Sequence, residues 1–126
     1  MAASITKSEK TFEVIKKISW AWLAHTDGKV ATTTANAATT EQYNGEIVRA
    51  VFVPKSTNAP SDNYTVIIYD DDGVDVLMGA AVGNRDNAAA DQLGASSLGI
   101  VAYSKLTLYV EGAGDGNEGT VHLYVR

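Results

Sequence analysis

The sequence has no cysteine, only two prolines and no long run of apolar residues. The absence of cysteine excludes disulfide bonds and thiolate-bound metal centres. No apolar run approaches the roughly 20 residues that a membrane-spanning helix needs, so we expect no membrane partner. The first ten residues, MAASITKSEK, are polar and lack the apolar segment of a signal peptide, so none is expected.

Positive charge is also scarce. The chain has 10 basic residues against 15 acidic ones, which gives a net charge of −5. Proteins that bind nucleic acids usually present a basic face, so this balance argues against a nucleic-acid partner. A chain of 126 residues suits one domain, which at this size buries about two-thirds of its unfolded surface without crosslinks.

Alternation of apolar and polar residues predicts β-strands along most of the chain. From Phe12 to Trp22 it predicts one long, half-buried strand. The segment IVRAVFVP (47–54) is apolar on both faces, which predicts a central strand. Pro54 should end that strand because proline cannot donate a ladder hydrogen bond.

The two segments KLTLYV (105–110) and TVHLYVR (120–126) predict a β-hairpin joined by the glycine-rich loop 111–119. Six residues are expected to face the core from this hairpin: Leu106, Leu108, Val110, Val121, Leu123 and Val125. Tyr109 and Tyr124 then fall on the outer face, either as a cross-strand pair or as part of a subunit interface, where tyrosine is enriched.

Turn signals separate the predicted strands. Asp27-Gly28 and Asn44-Gly45 are dipeptides typical of tight turns. The segment NAAADQL (87–93) can form one or two helical turns with Asn87 as the cap. Counting gives six or seven strands and at most one short helix. The predicted fold is all-β: a single-domain antiparallel β-sandwich or jelly-roll-like barrel over residues 11–126, preceded by a flexible arm over residues 1–10.

The acidic stretch DNYTVIIYDDDGVDVLMG (62–79) allows three interpretations: a calcium loop, a pair of catalytic carboxylates or a hairpin turn. Calcium needs six to eight oxygen ligands, and only Asp70 and Asp72 stand as weak candidates. Catalytic carboxylates must face each other, whereas neighbours on a strand point to opposite faces. We therefore predict a turn in which Asp72-Gly73 supplies the positive φ angles, with the strand pattern resuming at Val74.

Other chemistry is weakly represented. His25 and His122 are the only histidines, and neither has an acidic neighbour that would suggest a catalytic triad. Trp20 and Trp22 fit a core strand best, with a sugar-stacking platform or a subunit contact as alternatives. The expectation from the residues is a binding or structural protein: no enzyme, no cofactor and no metal.

Six segments are considered as a set: KKISWAW (16–22), DNYTVIIYDDDGVDVL (62–77), NRD (84–86), SSLG (96–99), KLTLYV (105–110) and GTVHLYVR (119–126). Together they resemble small structural proteins of tailed-bacteriophage virions. The resemblance is one of pattern and order, and it spans most of the chain. It implies a β-rich virion protein that works as a homo-oligomer, with a trimer favoured.

Within that class, the resemblance implies a capsid decoration (cement) protein, which sits on the capsid surface and binds the major capsid protein. Such a protein is in the host cytoplasm during assembly and in the virion afterwards. Two alternatives remain: a tail or head-completion protein, and a carbohydrate-binding β-sandwich module. The expected contacts of the arm are Ile5 as an apolar anchor and Lys7 and Lys10 against an acidic capsid face.

Overall fold

A computed structural model describes residues 2–126 as eight β-strands and one short 3₁₀ turn, Ala95–Ser97. The strands are β1 (Ser4–Phe12), β2 (Ile15–Leu23), β3 (Tyr43–Pro54), β4 (Thr65–Tyr69), β5 (Asp91–Gly94), β6 (Ile100–Ser104), β7 (Thr107–Glu111) and β8 (Glu118–Val125). Within residues 2–126, no helix is long and apolar enough to cross a membrane.

The strands form two antiparallel sheets. The large sheet has the order β1-β2-β8-β3-β5, and β6 pairs with the first part of β3 on the same side as β5. The small sheet consists of β4 and β7. The predicted all-β class with antiparallel sheets in one small domain is therefore confirmed, and the arrangement is consistent with a β-sandwich.

The core lies where the inner faces of the two sheets meet. Its largest fully buried side chains include Trp20, Phe52 and Tyr64. The six inward positions predicted for β7, β8 and the residue before β7 are all buried, as are both tryptophans. The large sheet therefore keeps one face in the core, and its outer face carries the alternate residues of each strand.

Residues 4–12, most of which were expected to belong to a flexible arm, form strand β1. All nine residues of β1 pair with β2, from Ser4 opposite Leu23 to Phe12 opposite Ile15. Ile5 is 7% exposed and belongs to the core. Composition alone suggested disorder in this segment. However, β2 supplies a partner strand, and the pairing satisfies the hydrogen bonds of the β1 backbone, which its small polar side chains would not satisfy.

The predicted hairpin of 105–110 with 120–126 is wrong. Strand β7 pairs with β4 in the small sheet, whereas β8 lies between β2 and β3 in the large sheet. The loop between them crosses from one sheet to the other. Both strands show the same alternation because their inner faces meet the same core from opposite sides.

Three further predictions differ from the structure. The segment from Phe12 to Trp22 is broken by a tight turn at Glu13, whose φ is 55°, so Phe12 ends β1 and is exposed. Asn44-Gly45 is not a turn but part of β3, at an irregularity in the pairing with β6. Residues 87–93 form no helix; their end belongs to β5. The Asp27-Gly28 turn and the end of β3 at Pro54 are as predicted.

Candidate interaction face on the large sheet

The outer face of the large sheet carries a transverse row of basic and aromatic side chains. Lys10 of β1 is opposite Lys17 of β2, Lys17 is opposite Tyr124 of β8, and Tyr124 is opposite Arg49 of β3. We call Lys10, Lys17, Tyr124 and Arg49 the basic row. Four adjacent strands at about 4.8 Å spacing make it roughly 15 Å long.

Tyr124 is placed between two cations. The Lys17 ammonium lies 5.6 Å from the centroid of the Tyr124 ring, and the Arg49 guanidinium carbon lies 5.8 Å from it. Both distances are within the range in which a cation is attracted to an aromatic face. Arg49 Nε also donates to Gln92 Oε1 over 2.7 Å. These contacts bring Lys17, Tyr124 and Arg49 together on the outer face.

A second transverse row lies at the end of the same face. Phe12 of β1 is opposite Ile15 of β2. Lys16 is opposite Val125 in an antiparallel pair, so the next residues along, Ile15 and Arg126, lie beside each other. Arg126 and Glu46 exchange two backbone hydrogen bonds of 2.8 and 3.0 Å, and Glu46 is opposite Ile100 of β6. Apolar side chains therefore occupy both ends of this second row, two residues along the strands from the basic row.

Ser19 and His122 meet on the other side of the basic row. They are opposite each other on β2 and β8, and Ser19 Oγ lies 2.7 Å from His122 Nδ1. Burial and the nearby positive charge of Lys17 lower the pKa of His122. The neutral imidazole is therefore favoured, so Nδ1 can accept the hydrogen bond from the Ser19 hydroxyl.

A shallow groove of about 450 Å³ crosses the far end of the face. Small side chains, including Thr6, Ala21 and Thr120, line its floor, and its rim carries Lys55 and Glu118, which are 3.1 Å apart. The charged groups of this groove already pair with each other. The basic row, by contrast, has no acidic side chain in its register.

The structure separates the five residues predicted to form an interface. Lys10 and Tyr124 lie together in the basic row, whereas Tyr109 lies on the outer side of the small sheet beside Tyr69. Ile5 is buried, so its side chain already contributes to the core. The Lys7 ammonium contacts Glu9, Ala38 O and Thr40 Oγ1, and its side chain is only 10% exposed.

The acidic stretch forms a turn whose carboxylates bind the chain itself. Asp70 Oδ1 accepts hydrogen bonds from the backbone N–H groups of Asp72 and Val74, and Asp75 accepts from three others. Within residues 70–74, only Gly73 has a positive φ, at 75°, so the predicted positive φ of Asp72 is wrong. No strand follows: after one bridge between Tyr69 and Asp75 the chain runs through further turns.

Asp70 and Asp72, the weak cation candidates, lie on this turn. Residues 2–126 contain no group of three or more histidine, cysteine, aspartate or glutamate side chains arranged to hold a metal ion. Trp20 and Trp22 are buried, which confirms their assignment to the core and leaves neither ring free to stack on a sugar. Trp22 Nε1 and Tyr64 Oη have no hydrogen-bond partner within the described residues.

Arg85 is a buried cation that packs against the inner side of the large sheet, near β3 and β5. It pairs with Asp91 at 3.2 Å, donates to Asn84 Oδ1 and lies 4.6 Å from the centroid of the Phe52 ring. With a 7% exposed side chain and these partners, Arg85 joins the 84–91 loop to the core. Its contacts account for it as a structural group.

Sequence reasoning missed Lys17, Arg49 and the Ser19–His122 pair. Lys17 and Arg49 are 32 positions apart and reach Tyr124 only through the order β2-β8-β3. The alternation showed which residues of each strand point outward, but it did not show which strands are neighbours in the sheet. Comparisons with models of known protein families, with curated proteins and with solved structures found no match.

Proposed function

We propose that this chain is a non-enzymatic structural protein of a tailed-bacteriophage virion, most like a capsid decoration (cement) protein. In this proposal it binds the major capsid protein at the outer capsid surface, acts as an oligomer and stabilises the shell. The resemblance of its sequence segments to that class of protein suggested the role. The observation that carries the proposal is the uncovered outer face of the large sheet with its basic row.

The size of this face suits docking onto another protein. Five neighbouring strands of about 4.8 Å and nine residues of about 3.3 Å cover roughly 700 Å². A stable interface buries about 800 Å² on each partner. Tyrosine and arginine, both enriched at protein interfaces, occupy the middle of the face as Tyr124 and Arg49.

The charge of the face supports an acidic partner. The whole chain is acidic, yet Lys10, Lys17 and Arg49 lie in one row without an acidic residue in register. Complementary charge raises the rate of encounter and selects the partner more than it adds affinity. Many copies bound on a symmetric shell then add weak contacts through effective concentration.

The decisive experiment is the copy number of the chain in virions of the phage that encodes it, by quantitative mass spectrometry against the major capsid protein. A ratio near one supports shell decoration. A few copies per particle favour the tail or head-completion alternative. Absence from the particles, or a coding locus outside any phage genome, refutes the virion assignment.

A second experiment tests the face itself. Lys17→Glu combined with Arg49→Glu should release the protein from particles at lower salt than the wild type, because binding is electrostatic. Lys29→Glu is the matched control, since Lys29 is exposed in a loop outside this face. Equal release of all three proteins would exclude the basic row as the docking site.

A further inference from the structure

Exposed apolar side chains are concentrated at one end of the domain. Seven large hydrophobic side chains are exposed in residues 2–126, and six of them define what we call the apolar end: Phe12, Val14, Val74, Met78, Ile100 and Tyr103. Three of these, Met78, Ile100 and Tyr103, are 70–76% exposed. Clustered exposure of this kind marks interaction sites, whereas single exposed residues do not.

Backbone contacts gather three distant segments at this end. The second row of the large sheet places the 12–14 turn and Ile100 along one edge of the outer face. The 70–79 segment is attached to the strand β6 region at two points: Asp71 N donates to Ser104 Oγ over 2.9 Å, and Gly99 N donates to Val76 O over 3.1 Å. Met78 and Val74 are therefore held next to β6.

Backbone strain independently marks the same end. Among residues 2–126, six residues other than glycine have positive φ, and three of them are asparagines, which tolerate that conformation. The other three are Glu13, Met78 and Tyr103, with φ of 55°, 55° and 52°, and all three lie in the segments of the apolar end. Bulky residues adopt this conformation at a cost, and such residues cluster at binding and switch sites.

From these two observations we infer that the apolar end is the contact surface between copies of this chain. The role of that contact in a shell-binding oligomer rests on the proposed function, but the contact itself does not. Six half- to three-quarters-exposed side chains at roughly 100 Å² each give about 600 Å², close to what one partner buries in a stable complex. Homo-oligomeric interfaces are also more apolar than other interfaces.

The apolar end carries charges of both signs, so its exposed apolar area, and not its charge, is the argument for a second copy. Arg126 and Glu46 are both exposed there and already pair with each other at 3.5 Å. The basic row, by contrast, presents like charges and would repel a copy of itself. The two surfaces therefore take different partners: the apolar end binds a second copy, and the basic row binds an acidic protein.

The test is the mass of the purified full chain in solution, by light scattering after size exclusion and by sedimentation velocity. The wild type should be an oligomer at about 50 μM, whereas Ile100→Asp and Met78→Asp should be monomers at the same concentration. Val82→Asp is the matched control, because Val82 is exposed and apolar but lies outside the apolar end. A monomeric wild type, or a Val82→Asp variant that dissociates equally, would overturn the inference.

Tyr103→Asn and Met78→Asn separate an interface role from a structural one. Asparagine accepts a positive φ, so these variants remove the exposed apolar group without straining the backbone. Each should dissociate the oligomer while its melting temperature, measured where wild type and variant are both monomeric, stays the same or rises. A lower melting temperature of the monomer together with an unchanged oligomeric mass would assign these side chains to the fold instead. Copy number in virions is measured separately, so failure here leaves the shell-binding proposal standing.

Discussion

Replacing Glu9 by glutamine tests whether strand β1 is an integral part of the fold. The Glu9 carboxylate joins β1 to residues 40–43, more than 30 positions away along the chain. It accepts hydrogen bonds from Thr40 N at 2.8 Å, Glu41 N at 3.1 Å and Tyr43 Oη at 2.7 Å, and it pairs with Lys7 at 3.2 Å. The Glu9 side chain is only 11% exposed, so water replaces these contacts poorly.

The expected cost follows from those contacts. Glu9→Gln keeps the shape but places an N–H₂ donor where one oxygen accepted hydrogen bonds. The variant loses one charge-assisted hydrogen bond, and its new N–H₂ group points at a donor that the carboxylate oxygen accepted from. Together these changes should lower the free energy of unfolding by about 2 kcal/mol. Urea unfolding with an unchanged m-value measures the change. Glu118→Gln is the control, since the Lys55–Glu118 pair is more exposed and should contribute less than about 1 kcal/mol.

The pH dependence gives an independent check. Burial raises the pKa of Glu9, but the bonds from Thr40, Tyr43, Glu41 and Lys7 outweigh it and hold the pKa below its ordinary value. A carboxyl with a lowered folded pKa stabilises the fold above its unfolded pKa of about 4.3, and this stability is lost as the pH falls through the folded pKa. The wild type should therefore lose its advantage over Glu9→Gln in that acidic range.

Two outcomes would refute the reasoning. One is a Glu9→Gln variant as stable as Glu118→Gln at neutral pH; the other is a difference between wild type and Glu9→Gln that does not shrink in acid.

Deletion of residues 2–10 makes the same point more severely. It removes the buried Ile5 and the partner strand of β2, which should cost about 5 kcal/mol or more, much of the stability of such a domain. A deleted chain with the wild-type melting temperature would restore the flexible-arm interpretation.

Two further changes test other parts of the structure. Gly45→Ala should cost about 3 kcal/mol in urea unfolding, because φ is 126° and a Cβ would lie 2.1 Å from the carbonyl oxygen of Arg126; Gly73→Ala, in open space at φ 75°, should cost only about 1 kcal/mol. An equal cost at both glycines would contradict the close approach. Because burial and then Lys17 lower the pKa of His122, its NMR titration midpoint should lie below 6.5, and Lys17→Gln should raise it. The stability that the neutral ring contributes is lost as the pH falls below the unfolded value. A midpoint unaffected by Lys17→Gln would place the cause elsewhere.

Alternation in the sequence predicted which side of each strand is buried better than it predicted which strands pair. Leu108 on β7 and Leu123 on β8 were both correctly assigned to the core, yet they belong to different sheets. A period of two shows which side of a strand faces the core, but it does not show which strand lies next to it. A nine-residue glycine-rich loop can close a hairpin or cross between sheets, and local residues do not distinguish the two.

Local composition also failed where distant groups decide the structure. Residues 1–10 were predicted to be a flexible arm because they are small and polar, but residues 38–43 supply partners for the Lys7 and Glu9 side chains. Asn44-Gly45 was predicted to be a turn, but backbone hydrogen bonds between Arg126 and the adjacent Glu46 help to keep this part of the chain in β3. In the candidate face, Lys10 and Tyr124 were singled out from the sequence, whereas Lys17 and Arg49 joined them only through the strand order.

The place of β8 in the large sheet has a consequence for how the chain folds during synthesis. Strands β2 and β3 both need β8 between them, and β8 begins just over 100 residues after β2 starts. Until residue 125 has left the ribosome, β2 and β3 have unpaired edges, and Trp20 and Phe52 lack the inner face of β8. Such long-range pairing slows folding toward the millisecond-to-second range and leaves adhesive strand edges exposed meanwhile. The step that completes the domain is thus the insertion of β8 between β2 and β3, which are synthesised long before it.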